Sequence, residues 1–182
     1  METCIIKKLI RQGLTPTELQ NLFSKYSNGE YLPVITYEQI MNSNNIDDLF
    51  NNLNFFVIYY PLSVNNSWGH YCALIRHHDT IYFCDSYGYT IDDIKKFANT
   101  NIYDNEQENT LIRLLLESNY NVDFSHHKLQ SKKKHIATCG RWAVLRCLKE
   151  RLTNDEFYNY IMKLKKKTGI KDNDKLVATL IN

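Results

Sequence analysis

The sequence of 182 residues predicts an α+β fold in which a small central mixed sheet is flanked by helices. Apolar residues recur at helical spacing after Thr15, strand-like segments follow between residues 55 and 86, and helical patterns return from Cys139 onward. Helices, then strands, then helices is an order typical of α+β proteins. We expect residues 1–182 to form a single domain, because their number supports one core and neither a repeat nor a low-complexity linker divides them.

The N-terminal part carries helix signals. Thr15 followed by Pro16 predicts an N-cap and a first helical residue, and this helix should run to about residue 26. Its apolar side chains share one face, and they are Leu19, Leu22, Phe23 and Tyr26. Shorter helices are expected over residues 37–41 and 46–51.

The central strands are predicted from short apolar runs. Residues 55–60 (FFVIYY) end at Pro61, which is typical of a buried strand, and a polar loop should follow up to residue 68. Residues 70–76 and 80–86 have strand patterns and are joined through residues 77–79, so we expect a hairpin. Antiparallel pairing would place His70 and Asp85 at the same end of that hairpin.

The second half of the chain is predicted to be mainly helical. Helices are expected from Thr90 to about residue 99, over residues 111–117 and over residues 139–152, with a short strand at 121–124. Thr153 begins a capping-box pattern, so a further helix should extend to about residue 166, and a last helix should cover residues 175–181.

Composition excludes some classes of protein. Hydrophobic residues make up 43% of the chain, yet no run approaches the roughly 20 apolar residues of a membrane span, so no membrane partner is expected. Residues 1–8 lack the pattern of a secretory signal, and the odd number of cysteines, five, argues against a disulfide framework. We therefore expect a protein that is not secreted and that works in a reducing intracellular compartment.

The charge is unevenly distributed along the chain. Residues 126–182 contain 14 Lys or Arg and 5 Asp or Glu, a net charge of +9, whereas the rest of the chain has a net charge of −7. Lysine clusters at residues 132–134 and 163–167 fit a nucleic-acid or acidic partner, and they equally fit two solvated surfaces. A basic nucleic-acid-binding protein without enzymatic activity is therefore one hypothesis.

Cys139 is the strongest candidate for a chemical role. It begins a predicted helix, where the helix dipole and unpaired N–H groups favour the thiolate. His70 can act as base and acid near neutral pH, and Asp85 can orient its imidazole. Gln130 and the backbone N–H of Cys139 are candidate donors for an oxyanion. Each residue alone would be an ordinary structural residue, so the hypothesis depends on their joint occurrence in this order.

Four segments resemble a known family. Residues 69–75 (GHYCALI), 81–88 (IYFCDSYG), 129–130 (LQ) and 138–142 (TCGRW) resemble, in this order, the adenain-type maturation proteases of adenoviruses and the related SUMO-specific, or ubiquitin-like, cysteine proteases. The resemblance covers roughly residues 55–152 and implies a papain-like fold of the adenain type. It implies a catalytic triad and a side-chain donor in the oxyanion hole. The triad would be His70, Asp85 and Cys139, and the donor would be Gln130.

The resemblance also implies a function. The expected activity is that of a cysteine endopeptidase that processes capsid or other structural precursor proteins of a virus at glycine-containing sites. Trp68 and Tyr71 would then be walls of a narrow substrate channel. A deconjugating isopeptidase for SUMO or another ubiquitin-like modifier is the alternative with the same chemistry. An acetyltransferase with a similar triad would need cofactor-binding regions for which the chain has no room.

Two positions depart from the family pattern. Tyr71 follows the candidate histidine where the family has an aromatic residue that is often Trp, and Gln130 lies nine positions before Cys139, farther than usual. The resemblance implies a monomer without a resident cofactor, with activation by DNA or a peptide. It implies an origin in a virus or virophage, and a location in the host cytoplasm, in a viral factory or within the virion.

A metal site is not expected from the sequence. Residues 126–127 (HH), His135 and Cys139 can be drawn together as ligands, but their spacing matches no zinc template. Cys72 and Cys84 are expected to be small core residues on neighbouring strands.

Overall fold

A mixed sheet forms the centre of the molecule in the computed structural model, which describes residues 2–61, 69–95 and 110–182. Within these residues the sheet has five strands, whose spatial order follows the chain. The strands are β1 (Val34–Thr36), β2 (Phe55–Pro61), β3 (Gly69–His77), β4 (Thr80–Asp85) and β5 (Asn121–Phe124). The pairs β2–β3 and β3–β4 are antiparallel, while β1 and β5 run parallel to their neighbours at the edges. The predicted central mixed sheet is confirmed.

Helices precede the sheet, connect its edge strands and follow it. They are α1 (Glu2–Arg11), α2 (Pro16–Tyr26), α3 (Tyr37–Met41), α4 (Ile46–Phe50), α5 (Ile91–Lys95), α6 (Thr110–Leu116), α7 (Cys139–Cys147), α8 (Asn154–Thr168) and α9 (Asn173–Leu180). The parallel edge pairs require such connections, because a tight turn cannot join parallel strands. None of the helices in the described part of the chain is long and apolar enough to cross a membrane.

Helices cover both faces of the sheet. Alternate residues of β3 point to opposite faces, as the pleat of a strand requires. Ala73 and Ile75 pack into the core shared with α2, α7, α8 and α9, whereas Cys72 and Leu74 pack into the core shared with α3, α4 and α6. All four side chains are fully buried. β3 is therefore paired on both edges and covered on both faces.

Local capping chemistry fixes the starts of α2 and α8 as predicted. Thr15 accepts the backbone N–H of Glu18 at 3.2 Å while the Glu18 carboxylate accepts the Thr15 N–H at 2.8 Å, and Thr153 forms the same reciprocal pair with Glu156. The helix α8 ends two residues later than predicted, where Gly169 adopts the left-handed conformation with φ of 71°.

The helix α7 is shorter than predicted. It ends at Cys147, and the chain then forms turns up to residue 152. The Arg146 side chain, which is fully buried, donates to the carbonyls of Lys149 at 2.9 Å and of Leu152 at 2.8 Å. This guanidinium therefore satisfies two carbonyls of the turns that follow α7, and it stabilises those turns in place of further helix.

Two elements, α1 and β1, were not predicted. Ile6, Leu9 and Ile10 are partly buried at helical spacing in α1, which packs against α9, so the apolar pattern was present between charged residues. The strand β1 has three residues, too few to show a period. Apart from α7, the predicted elements are found within one or two residues of their expected ends, except that only residues 91–95 of the helix predicted to reach residue 99 are described.

Candidate active site

The hairpin of β3 and β4 brings His70 and Asp85 together. Its register pairs Cys72 with Asp85, so His70, two residues earlier, lies on the same face at the end of the hairpin. The Nε2 atom of His70 hydrogen-bonds directly to Oδ2 of Asp85, whose side chain is fully buried. The predicted arrangement of these two residues is present.

Several donors hold the Asp85 carboxylate. Its Oδ1 accepts the backbone N–H of Tyr87 at 2.9 Å and of Tyr89 at 3.1 Å, and the Cys72 thiol donates to Oδ2 at 3.4 Å. Because the carboxylate is fixed, it orients the His70 ring through Nε2 and leaves Nδ1 available for a thiol.

Cys139 is the first residue of α7, which packs against β3. Burial raises the pKa of its thiol, but the hydrogen bond and the positive charge of His70, together with the backbone N–H groups of Tyr71 and Gly140, lower it further than burial raises it. The resulting pKa lies below its ordinary value. The thiolate, which is the reactive form, is therefore favoured at this position.

His70 shows the complementary change. Burial lowers the pKa of its imidazole, whereas Cys72, the hydrogen bond to Asp85 and the hydrogen bond to Cys139 raise it, and the resulting pKa lies well above its ordinary value. Burial also raises the pKa of the Cys72 thiol and keeps it neutral, so the hydrogen bonds with Asp85 and Cys139 are the causes that favour the imidazolium near neutral pH. This combination favours a thiolate–imidazolium pair near neutral pH.

The other buried cysteines have the opposite property. Burial raises the pKa of Cys84 to about 11 and raises the pKa of Cys72 and Cys147 further. Of the four buried thiols, that of Cys139 alone has a lowered pKa. Cys4, the fifth, is exposed, and none of the five is in a disulfide.

A cleft with a volume of about 600 Å³ opens onto these groups, and its lining includes Cys139, His70 and Gln130. Its walls are rich in aromatic side chains, which are Tyr59, Tyr71, Tyr87 and Tyr89. Arg11 and His135 also line it, and no carboxylate does so among the residues that the structure describes. The cleft therefore suits an uncharged or acidic extended chain better than a basic one.

Gln130 is buried in this cleft. Its Oε1 accepts the Ser86 hydroxyl at 2.7 Å, which fixes the orientation of the amide. Its Nε2 donates to the Tyr87 hydroxyl at 3.0 Å and to the Ile136 carbonyl at 3.4 Å. The lysine-bearing loop of residues 131–138 thus does not carry Gln130 away from Cys139, and both line one cleft.

Tyr71 lines the cleft as well, whereas Trp68 lies outside the described residues. The Tyr71 ring is almost fully buried, its hydroxyl donates to the Leu14 carbonyl at 2.8 Å, and its centre lies 5.1 Å from that of the Tyr59 ring. A role of Tyr71 as a channel wall stays a prediction, and its position is suitable for it.

Tyr59 was not predicted as a site residue. It pairs with Tyr71 in the β2–β3 register, and its ring lies over the backbone of Gly69, where an added Cβ atom would come within 1.9 Å of Tyr59 Cε2. A side chain at position 69 would therefore fit only if the Tyr59 ring moved. The pair of tyrosines before Pro61 could have indicated an aromatic site residue. The strand register that places one of them in the cleft, however, cannot be read from the sequence.

The segment between α1 and α2 forms the other wall of the cleft and was also missed. Three alternate carbonyls, one in the last turn of α1 and two in this segment, accept hydrogen bonds from residues around the site. The Ile10 carbonyl accepts Ala137 N–H at 2.8 Å, and the Gln12 carbonyl accepts Arg141 Nη1 at 3.0 Å. The Leu14 carbonyl accepts the Tyr71 hydroxyl.

A cluster of His70, Cys72 and Asp85 has one ligand-type atom from each residue within 4.8 Å of the others. Two of these atoms, His70 Nε2 and Asp85 Oδ2, are hydrogen-bonded to each other. The cluster thus has the geometry of a proton-sharing pair with a neighbouring thiol. His127, which the sequence placed near other histidines, instead bonds Asp155 at 2.8 Å.

Comparison with known proteins finds a relative in a virophage. The uncharacterised protein V9 of Sputnik virophage is 30% identical over 131 residues, which cover 70% of this chain and 74% of V9. No protein-family model matches the chain. The relative agrees with the expected viral or virophage origin, and it identifies a family rather than an activity.

Proposed function

The chain belongs to the family of the Sputnik virophage protein V9, and we propose that it is a cysteine peptidase with Cys139, His70 and Asp85 as its triad. One observation carries the proposal. A thiol with a lowered pKa, at the start of a helix and beside an imidazole with a raised pKa, opens onto a cleft large enough for a peptide. A structural cysteine in an apolar core would show the reverse shift, as Cys147 does.

The proposed reaction uses these groups in sequence. The Cys139 thiolate attacks the carbonyl carbon of the scissile amide, and the carbonyl π electrons move to the oxygen. The His70 imidazolium then gives its proton to the leaving nitrogen as the C–N bond breaks, which leaves a thioester. Water loses a proton to His70 as it attacks the thioester, and collapse of this second intermediate breaks the C–S bond, which releases the carboxylic acid and restores the Cys139 thiolate beside the His70 imidazolium. Asp85 keeps the His70 ring oriented throughout.

The oxyanion would be stabilised by the backbone N–H of Cys139 and by Gln130 Nε2. Gln130 is a suitable donor because the Ser86 hydroxyl fixes its amide. Its bond to the Ile136 carbonyl, at 3.4 Å, is the longer of its two donated bonds. A bound oxyanion would replace that weaker bond.

The proposed substrate is a capsid or other structural precursor protein of a virus, cleaved at a glycine-containing site. The aromatic walls and the close approach of Tyr59 to Gly69 support a narrow channel, in which a residue without a side chain fits best. The viral origin of the relative supports a viral substrate. An isopeptidase acting on ubiquitin-like conjugates is the second candidate, because a carboxylate-oriented histidine and a narrow channel serve both.

A nucleic acid is proposed as an additional partner. Lysines surround a groove at the end of α8, and this groove shares no lining residue with the catalytic cleft. The lysines are Lys163, Lys165, Lys166 and Lys171. Clustered cations of this kind favour a polyanion through release of its counterions.

Cleavage assays with matched cysteine variants test the proposal. The protein and its Cys4→Ala and Cys139→Ala variants are each incubated with precursor proteins from virus particles and, separately, with ubiquitin and SUMO fusions. We expect cleavage of the precursors by the first two proteins and none by Cys139→Ala. Cys4→Ala is the matched control because it removes an exposed thiol. Cleavage by all three proteins or by none of them contradicts the peptidase proposal, and cleavage of fusions alone identifies the isopeptidase.

A further inference from the structure

The loop of residues 131–138 joins two groups that the proposed mechanism needs in register, Gln130 and Cys139. Its middle carries three consecutive lysines and is exposed. Its two ends, however, converge on a single side chain. The Ser131 N–H donates to Asp174 Oδ2 at 3.0 Å, and the Thr138 hydroxyl donates to Asp174 Oδ1 at 2.6 Å.

Asp174 is well suited to hold both ends. It lies in the first turn of α9 and is only 3% exposed, so its two bonds are shielded from competing water. Burial raises the pKa of its carboxyl, while the bonds from Thr138 and Ser131 lower it. Each carboxylate oxygen accepts a hydrogen bond from one end of the loop. We call this pair of hydrogen bonds the clamp, and each bond is one arm of it.

Asp174 does not line the catalytic cleft. It is therefore placed to act through two residues that do, namely Gln130, which precedes Ser131, and Cys139, which follows Thr138. Since Ser131 is next to Gln130 and Thr138 is next to Cys139, the clamp fixes the distance between a proposed oxyanion donor and the proposed nucleophile.

We propose that Asp174 is a positioning residue that closes the oxyanion hole by clamping the two ends of the loop of residues 131–138. The inference rests on the proposed peptidase function. It explains how a loop longer than the family pattern keeps Gln130 beside Cys139. Neither the resemblance nor the relative assigns a role to this carboxylate.

Two reactions of Cys139 separate positioning from general structure. Alkylation by iodoacetamide needs the thiolate and His70 but no oxyanion hole, whereas amide hydrolysis needs all of them. We expect Asp174→Asn to leave the alkylation rate within about twofold of the unsubstituted protein. Turnover (kcat) should fall about 10- to 100-fold, somewhat less than the loss of a whole oxyanion donor, with KM little changed.

Asp172→Asn is the matched control, because Asp172 caps the same helix and Asn preserves a cap. Thr138→Val removes one arm of the clamp, and its effect on kcat should not add to that of Asp174→Asn. Equal losses of alkylation and kcat in Asp174→Asn would show a merely structural role and overturn the proposal. Unchanged kcat would overturn it as well.

Amide hydrogen exchange tests the proposed clamp in a way that does not depend on catalytic activity. In Asp174→Asn we expect residues 130–138 to exchange at least about tenfold faster while α8 keeps its protection. Unchanged exchange in the loop would overturn the clamp. If the unsubstituted protein cleaves no substrate yet the loop loosens in the variant, the peptidase proposal fails and the clamp stands as a structural device.

Discussion

The pKa values of the buried thiols differ because the thiols have different neighbours, since all of them are buried. Cys72 and Cys139 both lie close to His70, yet burial keeps Cys72 neutral while the imidazolium and two backbone N–H groups favour the thiolate of Cys139. The difference comes from causes that outweigh burial at Cys139, namely the hydrogen bond and charge of His70 and the backbone N–H groups of Tyr71 in β3 and Gly140 in α7.

The pH dependence of Cys139 alkylation should reflect this environment. Because the thiol pKa is below 9.0 and the imidazole pKa is well above 6.5, reaction with iodoacetamide should already be fast below the pH at which an ordinary thiol ionises. Asp85→Asn removes the charge that stabilises the imidazolium, so the His70 pKa falls, the Cys139 pKa rises and the rate–pH curve moves to higher pH.

The rates are measured in a Cys4→Ala background across a range of pH. Asp155→Asn is the matched control, because Asp155 also bonds a histidine, His127, but is exposed and remote from the thiol. A curve for Asp85→Asn that coincides with that for Asp155→Asn would contradict the ion pair.

Gly69 is a position where one added side-chain atom should reduce the stability of the fold. Gly69→Ala would place a Cβ atom 1.9 Å from the Tyr59 ring, so we expect a loss of about 1–3 kcal/mol in the free energy of unfolding, measured by urea denaturation. Gly13→Ala is the control, because nothing lies within 4 Å of its added Cβ, and it should change stability by less than about 1 kcal/mol. Equal effects of the two changes would contradict the contact.

At the residue scale, the sequence allowed prediction of residues whose roles follow from chemistry and order. His70, Asp85, Gln130 and Cys139 were predicted in this way as candidates, and in the structure His70, Gln130 and Cys139 line one cleft while Asp85 bonds His70. Tyr59 could not be identified, because its place in the cleft depends on a cross-strand register.

At the scale of elements, helix starts and helix ends have different causes. The starts of α2 and α8 follow from reciprocal bonds between residues three apart, which a local pattern reveals. The end of α7 follows from the buried Arg146 side chain, which reaches the carbonyls of Lys149 and Leu152. No local signal indicates that an arginine will be buried, so the helix was predicted five residues too long.

Arg146→Ala tests this account of the turn after α7. It leaves two carbonyls without their donor and removes a side chain that is fully buried, so we expect the free energy of unfolding to fall by about 3 kcal/mol. Thermal and urea denaturation measure the change. Arg151→Ala, at an exposed position in the same turn, should have little effect, and a similar loss in both variants would contradict a specific role of Arg146.

At the scale of the whole molecule, the proposed catalytic cleft depends on segments distant in the sequence. The cleft lies between the end of the central hairpin and the segment after α1, while α9 holds the loop before Cys139. Since α1 packs against α9, the two ends of the chain support one side of the site. The fold class and central sheet were predictable from the pattern of elements, but this cooperation between the ends was not.

The uneven charge is also a property of the whole molecule. If the groove at the end of α8 binds nucleic acid, changing Lys163 and Lys166 to Glu should weaken binding to duplex DNA and lower the slope of log affinity against log salt by about 2. Fluorescence anisotropy measures both quantities. Changing Lys7 and Lys8, which are exposed on α1, to Glu is the matched control. Equal losses of DNA affinity in the two variants would show that the DNA responds to overall charge and does not bind in the groove.

The most direct test of the triad is the site of covalent modification by a Gly-Gly peptide that carries a thiol-reactive electrophile. Intact mass and peptide mapping of the folded protein should show one adduct, on Cys139, which disappears in His70→Ala and persists in Cys4→Ala. An adduct on Cys147 or Cys4 instead of Cys139, or equal labelling of Cys139 with and without His70, would contradict the assignment of Cys139 as an activated nucleophile.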